Sequence, residues 1–289
     1  MRHREIVRTR GHGRCRMSLI DFILNLAGLL LWLNWRAAEP VLVAPGATAP
    51  GAMPQKIRPP RSRWWYFAGL VLLLVGRALF YWQAGTQLHW QPGIHFSSLW
   101  LAFRSDFPGR MLLYSCFSFG ATVGFFYLCL LLISSVNGPA SDTDAAQRLV
   151  RLHLGRLDRW PRAVKLLLPL VVMTAFWCSL NPLLLRIDMV PKVSAWQLLA
   201  QGALIGLAGY LTLKFLIVGF LTVYVLNSYI YLGESHFLKF VNTTSTGLLR
   251  PLRWLPLRVG RVDLAPLAGM ALVMVAAEFG RRGLDRLYH

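Results

Sequence analysis

Among the charges that stand inside apolar runs of this sequence are Arg77, Lys214 and Glu278. A charge in hydrocarbon is costly unless it meets water, a headgroup or an opposite charge, so each raises the idea of an ion pathway. The bland alternative is a side chain that snorkels to the interface. Arg77 lies about one turn from the far end of its run, which favours snorkelling. Lys214 sits in mid-run, the costliest place in the chain. Pairing Lys214 with Glu278 would offset part of that cost. The reading we favour leaves Glu278 at a helix end in water and lets Lys214 snorkel. Other chemistry is sparse. The acidic residues are few, and none stands at a recognisable spacing from a His or Ser, so no catalytic residue is assigned and an enzyme is not expected. Cys15, Cys116, Cys129 and Cys178 contain no C-x-x-C pair, and His89 and His95 are six apart. Neither set reads as ligands, so no metal and no cofactor is expected.

The richer signal is basic. Between Ser141 and Pro161, Arg148, Arg151, Arg156 and Arg159 fall largely opposite Leu149, Val150, Leu157 and Trp160, and Ser141 with Asp144 has capping-box spacing. That pattern predicts a basic amphipathic helix lying in a membrane interface; a solvated surface helix is the alternative. Arg250, Arg253, Arg258 and Arg261 alternate with Leu, Trp and Val ahead of the last apolar run, as expected where a chain follows a headgroup layer before inserting. Asp263 is placed to cap that run as a helix, with Pro266 at its third position, where a missing N–H costs little.

The elements that must carry these residues are set by composition. The 289 residues are 55% hydrophobic and 15% charged, and the mean hydropathy is +0.47. Such a balance belongs to a membrane protein. The net charge of +19 raises nucleic acid as a partner, yet the cations are nearly all Arg and gather at the ends of apolar runs. Anionic membrane lipid is therefore the expected partner, with nucleic acid disfavoured.

Apolar runs cover Met17 to Trp35, Trp64 to Trp82, Met111 to Val136, Ala163 to about Leu185 with a break expected at Asn181-Pro182, Leu198 to Leu232, and the run after Asp263. The expected fold is an all-α polytopic helical membrane protein with about six apolar helices, the first either spanning or lying in the interface. The first run has a basic flank like a signal peptide, but Asn-Trp-Arg stands where small residues would mark cleavage, which favours an uncleaved helix. Residues 37–63 read as a disordered Ala/Pro/Gly linker, and Gly93 to Phe103 as a segment that could lie flat on the surface. The run from Leu198 is too long for one perpendicular span and must tilt, extend or break. Gly206, Gly209 and Gly219 offer it small faces for close helix contact. This divides the chain into 1–63 (tail, first helix and linker), 64–110 (second span and loop), 111–185 and 198–289.

The stretch Leu248, Leu249, Arg250, Pro251, Leu252, Arg253, then Gly260, Asp263, Pro266 and Leu267, resembles the signature of the YggT family of small bacterial and plastid membrane proteins. Leu264 and Ala265 stand where that signature has Phe-Ser. Sliding the chain by 97 residues sets Pro169 on Pro266, suggesting a degenerate first copy over 111–185 and a second, well-matched copy over 198–289. The resemblance implies a multi-pass protein of the bacterial inner (cytoplasmic) membrane, with roles in membrane organisation. The leading expectation is a non-catalytic organisation or assembly factor, whose basic cytoplasmic loops hold anionic lipid and dock a membrane-protein partner. The alternative is a small transporter or ion-pathway protein. Counting Lys and Arg beside the spans puts loops 137–162 and 233–262 in the cytoplasm, whether translation begins at Met1 with a non-crossing first helix or at Met17 with a crossing one.

Overall fold

The computed structural model describes residues 2–37, 63–88, 92–96, 99–103, 105, 107–137, 145–187, 190–230, 235–252, 254, 258–259 and 262–288. The expected linker, the Ser141/Asp144 capping box, His89, Arg253, Gly260 and Arg261 lie outside the described residues. The chain is an all-α polytopic membrane protein. Its helices are α1 (Arg2–Ala37), α2 (Arg63–Leu88), α3 (Pro108–Asn137), α4 (Ala145–Leu154), α5 (Arg162–Arg186), α6 (Ala195–Tyr229), α7 (His236–Leu248) and α8 (Ala265–Tyr288). Among the described residues five stretches are long and apolar enough to cross a membrane: Ser18–Ala37, Arg63–Gly85, Pro108–Asn137, Arg162–Arg186 and Ala195–Tyr229. The sixth expected run falls short. In α8 only Ala265 to Ala277 is free of charge, about 20 Å at 1.5 Å per residue, against a hydrocarbon core of about 30 Å.

Contacts divide the chain into two compact units, and α3 contributes its first part to one and its second part to the other. The first unit comprises Met1–Gly93 and Ala102–Val123. Here α1 and α2 form an antiparallel pair. Trp35 meets Phe67 and lies under the Arg63 guanidinium, Leu31 meets Gly69, and Gly28 packs beside Leu70 and the Phe119 ring. The basic stretch before Met17 continues α1 as helix instead of forming a separate tail, since nothing in it breaks a helix as proline would. The stretch expected to lie flat is a hairpin of β1 (Gly93–Phe96) and β2 (Leu99–Ala102), whose residues Ile94–Leu101 are grouped with the second unit.

The second unit comprises Ile94–Leu101 and Gly124–His289. Its scaffold is the antiparallel pair of α5 and α6. At Gly202 a Cβ would lie 2.9 Å from the Thr174 Cα, and at Gly206 3.2 Å from that of Leu170, so side chains there would push the helices apart. Gly209 faces Leu128 more loosely, and Gly219 meets nothing within 4 Å. The expected break at Asn181-Pro182 is absent: α5 runs through both Pro169 and Pro182 to Arg186. Each proline removes one ladder bond, a loss that neighbouring helices and local adjustment can accommodate in a membrane helix. The two prolines that a 97-residue offset would superpose take different places, Pro169 inside α5 and Pro266 in the first turn of α8.

α6 opens with a capping box, Ser194 Oγ accepting from the Gln197 amide and Gln197 Oε1 from the Ser194 amide. It then runs 35 residues unbroken, about 52 Å, so it outlasts the hydrocarbon core by tilting or projecting. α8 packs antiparallel on α6, Gly280 against Leu211 and Met270 against Thr222. The expected cap position is taken by Leu264, not by Asp263. Asp263 belongs to β4 (Val262–Asp263), paired antiparallel with β3 (Arg258–Val259), and Arg258 is its partner. Because the backbone at Asp263 is extended, the helix starts two residues later. The Leu264 carbonyl accepts from the Ala268 amide, and Pro266 is the second helical residue, not the third.

Candidate functional site

The short helices of the second unit build its core. Val150 and Leu154 of α4 pack with Leu130, Leu131 and Ile133 of α3 and with Phe240 and Val241 of α7. Burying such aliphatic and aromatic side chains is worth about 1.5–3 kcal/mol each. This amends the picture of an interfacial helix. The apolar face of α4 is covered by protein, leaving Leu152 and Trp160 exposed, because α7 offers a second amphipathic face to pair with it. Asn137 Nδ2 donates to Thr244 Oγ1 at 3.0 Å, and the Ser245 hydroxyl donates to the Phe220 carbonyl, tying α7 to both long helices.

After α4 the chain turns at Gly155, whose φ of +54° lies in the left-handed region that a side chain disfavours. A 3-10 turn over Gly155–Arg159 follows, and Trp160 and Pro161 lead into α5. These segments enclose a half-open cleft of 880 Å³. Its wall is a polar brace. Asp158 Oδ1 accepts from Ser134 Oγ at 2.5 Å, Lys165 Nζ donates to that same hydroxyl at 2.7 Å and to the Asp158 carbonyl at 2.6 Å, and Arg151 Nε approaches Asp158 Oδ2 at 3.5 Å. Lys165 is buried at 6% exposure, which its partners make tolerable. Arg156, Arg159 and Arg162 also line the cleft, are exposed, and make no ion pair among the described residues.

The first unit holds a second cluster of opposite composition. The Arg77 guanidinium, fully buried, pairs through one terminal nitrogen with Asp21 Oδ1. Its other terminal nitrogen donates to Asn25 Oδ1 at 2.6 Å, and Nε donates to the Tyr81 hydroxyl at 3.2 Å. Tyr81 in turn donates to Asp21 Oδ1 at 2.8 Å, Ser118 to Asp21 Oδ2 at 3.1 Å, and Asn25 to Ser118 at 2.9 Å. The rings of Tyr81 and Tyr114 lie 5.3 and 5.8 Å from the guanidinium carbon. Arg77 therefore does not snorkel. A partner within the bundle satisfies every nitrogen: Asp21 and Asn25, polar residues inside the first apolar run, and Tyr81. Cleavage of α1 as a signal peptide would strip Arg77 of this carboxylate.

The remaining expected residues do not converge. Lys214 Nζ lies 5.1 Å from the Phe215 ring centre, and Glu278 accepts from Arg281 at 3.2 Å and Arg282 at 3.1 Å on its own helix, so the Lys214–Glu278 pair is absent. Those two arginines hold the Glu278 carboxyl below its ordinary range. Arg250 and Pro251 sit exposed in a 3-10 turn after α7, Arg258 lies in β3, and Pro266 is buried. Arg148 belongs to α4. Of the eight arginines expected to meet lipid or a partner, Arg151, Arg156 and Arg159 share the cleft. Lys165, Ser134, Asp158 and Arg162 complete it without having been singled out. The available signal was Lys165, a cation in the first turn of an apolar run that follows a basic loop.

No protein-family model, no curated protein and no solved structure matches this chain.

Proposed function

We propose that this chain is a non-catalytic membrane organisation or assembly factor of the YggT type, seated in the bacterial inner membrane. Its basic loops hold anionic lipid and dock a membrane-protein partner on the cytoplasmic side. The observation that carries this reading is the joining of α4 and α7. They follow α3 and α6, and their packing on one another brings both basic loops to one side of the second unit. Two Arg-rich loops on one side favour the cytoplasm for both. The exposed Arg156, Arg159 and Arg250 on that side pair with no carboxylate among the described residues and suit an anionic surface.

An ion pathway is the competing reading, and it needs intramembrane charges that converge. Arg77 is held by Asp21, Lys214 lies over Phe215 and Glu278 bonds its own helix, which weighs against it. Reporter fusions after Arg156 and after Arg258 test the orientation. Both should be active only as cytoplasmic reporters, and periplasmic activity at either would overturn the reading. Reconstituted vesicles test the function class. Retention of anionic over neutral lipid without ion flux is the expected result, and a measured flux would replace the organisation factor with a transporter.

A further inference from the structure

The cleft at the start of α5 contains more positive charge than its own structure can use. Among the described residues five cations line it, Arg151, Arg156, Arg159, Arg162 and Lys165, against the single carboxylate of Asp158. The carboxylate is already engaged by Ser134, Lys165 and Arg151, which leaves Arg156, Arg159 and Arg162 without a counter-charge among the described residues. The first turn of α5 adds to the field. Its N-cap is Pro161, which supplies no side-chain acceptor, so the positive end of a 25-residue helix is uncapped at the same cleft.

Three observations specify what would fill it. Depth is the first: Arg162 opens an apolar stretch long enough to cross the membrane, and Trp160 stands exposed beside it, so the cleft sits at headgroup level. Charge is the second, since three free guanidinium groups match phosphate oxygens in geometry as well as in sign. Size is the third. A volume of 880 Å³ lies toward the upper end of the range for small-molecule clefts, about 300–1,000 Å³, and is more than one phosphate would fill.

We infer that this cleft is a specific site for a lipid headgroup carrying two phosphates, held between the Arg156–Arg162 turn and the start of α5. The site rests on the reading of the basic loops as lipid-facing, but it is a stronger statement: one stoichiometric ligand, not a diffuse anionic preference. Lys165, Ser134 and Asp158 act as positioning residues, fixing the turn that presents the arginines.

The test uses the full chain in detergent and native mass spectrometry, titrated with three probes: diphosphatidylglycerol, phosphatidylglycerol at equal total charge, and phosphatidylcholine. One diphosphatidylglycerol per chain should bind most tightly, and Arg159→Gln with Arg162→Gln should weaken it about 10- to 30-fold. Both residues are exposed, so the double variant retains its fold. Arg281→Gln with Arg282→Gln removes the same charge outside the cleft and should leave binding unchanged. Equal weakening by the two double variants, or equal binding of the two anionic lipids, would overturn the site while leaving the general lipid preference standing. No preference over phosphatidylcholine would overturn both. Displacement of diphosphatidylglycerol by soluble pyrophosphate at equal concentration would reassign the site to a free diphosphate.

Discussion

The two units use the same parts to opposite ends. In the first, a carboxylate, a cation and a serine hydroxyl from three different spans, Asp21, Arg77 and Ser118, close into a network with Asn25 and Tyr81. In the second, Asp158, Lys165 and Ser134 make a similar brace, but Arg156, Arg159 and Arg162 stand around it with no ion pair among the described residues. The difference is charge balance. One buried cation with one carboxylate and enough neutral acceptors forms a cross-link that needs nothing from outside. Among the described residues, five cations around one carboxylate leave a surplus suited to an anionic ligand or headgroup. Inside a membrane, where buried charge marks function by default, counting donors against acceptors separates a brace from a site.

The largest effect should come from breaking the closed network. Asp21→Leu leaves Arg77 buried and unpaired and should cost about 3–5 kcal/mol, read as a lowered unfolding midpoint in detergent. Adding Arg77→Met removes the orphaned charge and should restore most of the loss. A double variant no more stable than the single one would show that the pair is not what joins α1 to α2.

Next is the scaffold beneath the open site. Gly202→Leu drives a side chain into the Thr174 backbone and should cost about 1–3 kcal/mol, whereas Gly219→Ala, with nothing within 4 Å, should be neutral or gain up to about 1 kcal/mol in helix propensity. Similar losses at both glycines would refute the close α5–α6 approach. The hydroxyls sharpen the comparison directly. Ser118→Ala and Ser134→Ala each remove a bond to a carboxylate and should each cost about 1.5–3 kcal/mol in thermal unfolding. If the two braces are alike, the losses will agree. Only Ser134→Ala should also weaken lipid retention, because only that brace positions unpaired arginines.

The smallest effect concerns Glu278, exposed on α8. Its carboxyl is lowered from 4.5 by hydrogen bonds from Arg281 and Arg282. A lowered value in the folded state means that the stabilisation is complete above 4.5 and fades as the pH falls through the folded value. The unfolding midpoints of the wild-type chain and Glu278→Gln should therefore differ slightly at neutral pH and converge in acid. A gap that widened in acid would reverse the sign and remove the pairing.

Much of this was written locally in the chain. Hydropathy marks five spans because each is a contiguous property of 20 or more residues. The start of α6 is local too, a Ser194–Gln197 capping box that closes within one turn, although the apolar run itself read only from Leu198. The arginine-rich loops and the small faces of Gly206 and Gly209 were equally plain from composition and spacing. What could not be read locally was partnership. Arg77 and Asp21 are 56 residues apart on two different helices, and local spacing does not reveal which turn of α1 faces which turn of α2, so Arg77 read as a snorkelling side chain. Asp263 looked like a cap because its spacing to Pro266 is right, yet pairing with Arg258 holds its backbone extended. The amphipathic stretch before α5 announced an apolar face without saying whether lipid or protein would cover it, and α7, some ninety residues later, covers it. Local signals fix helices because their hydrogen bonds close over three or four residues. Which charges become a brace and which remain a site depends on the register between helices, and only tertiary packing sets that register.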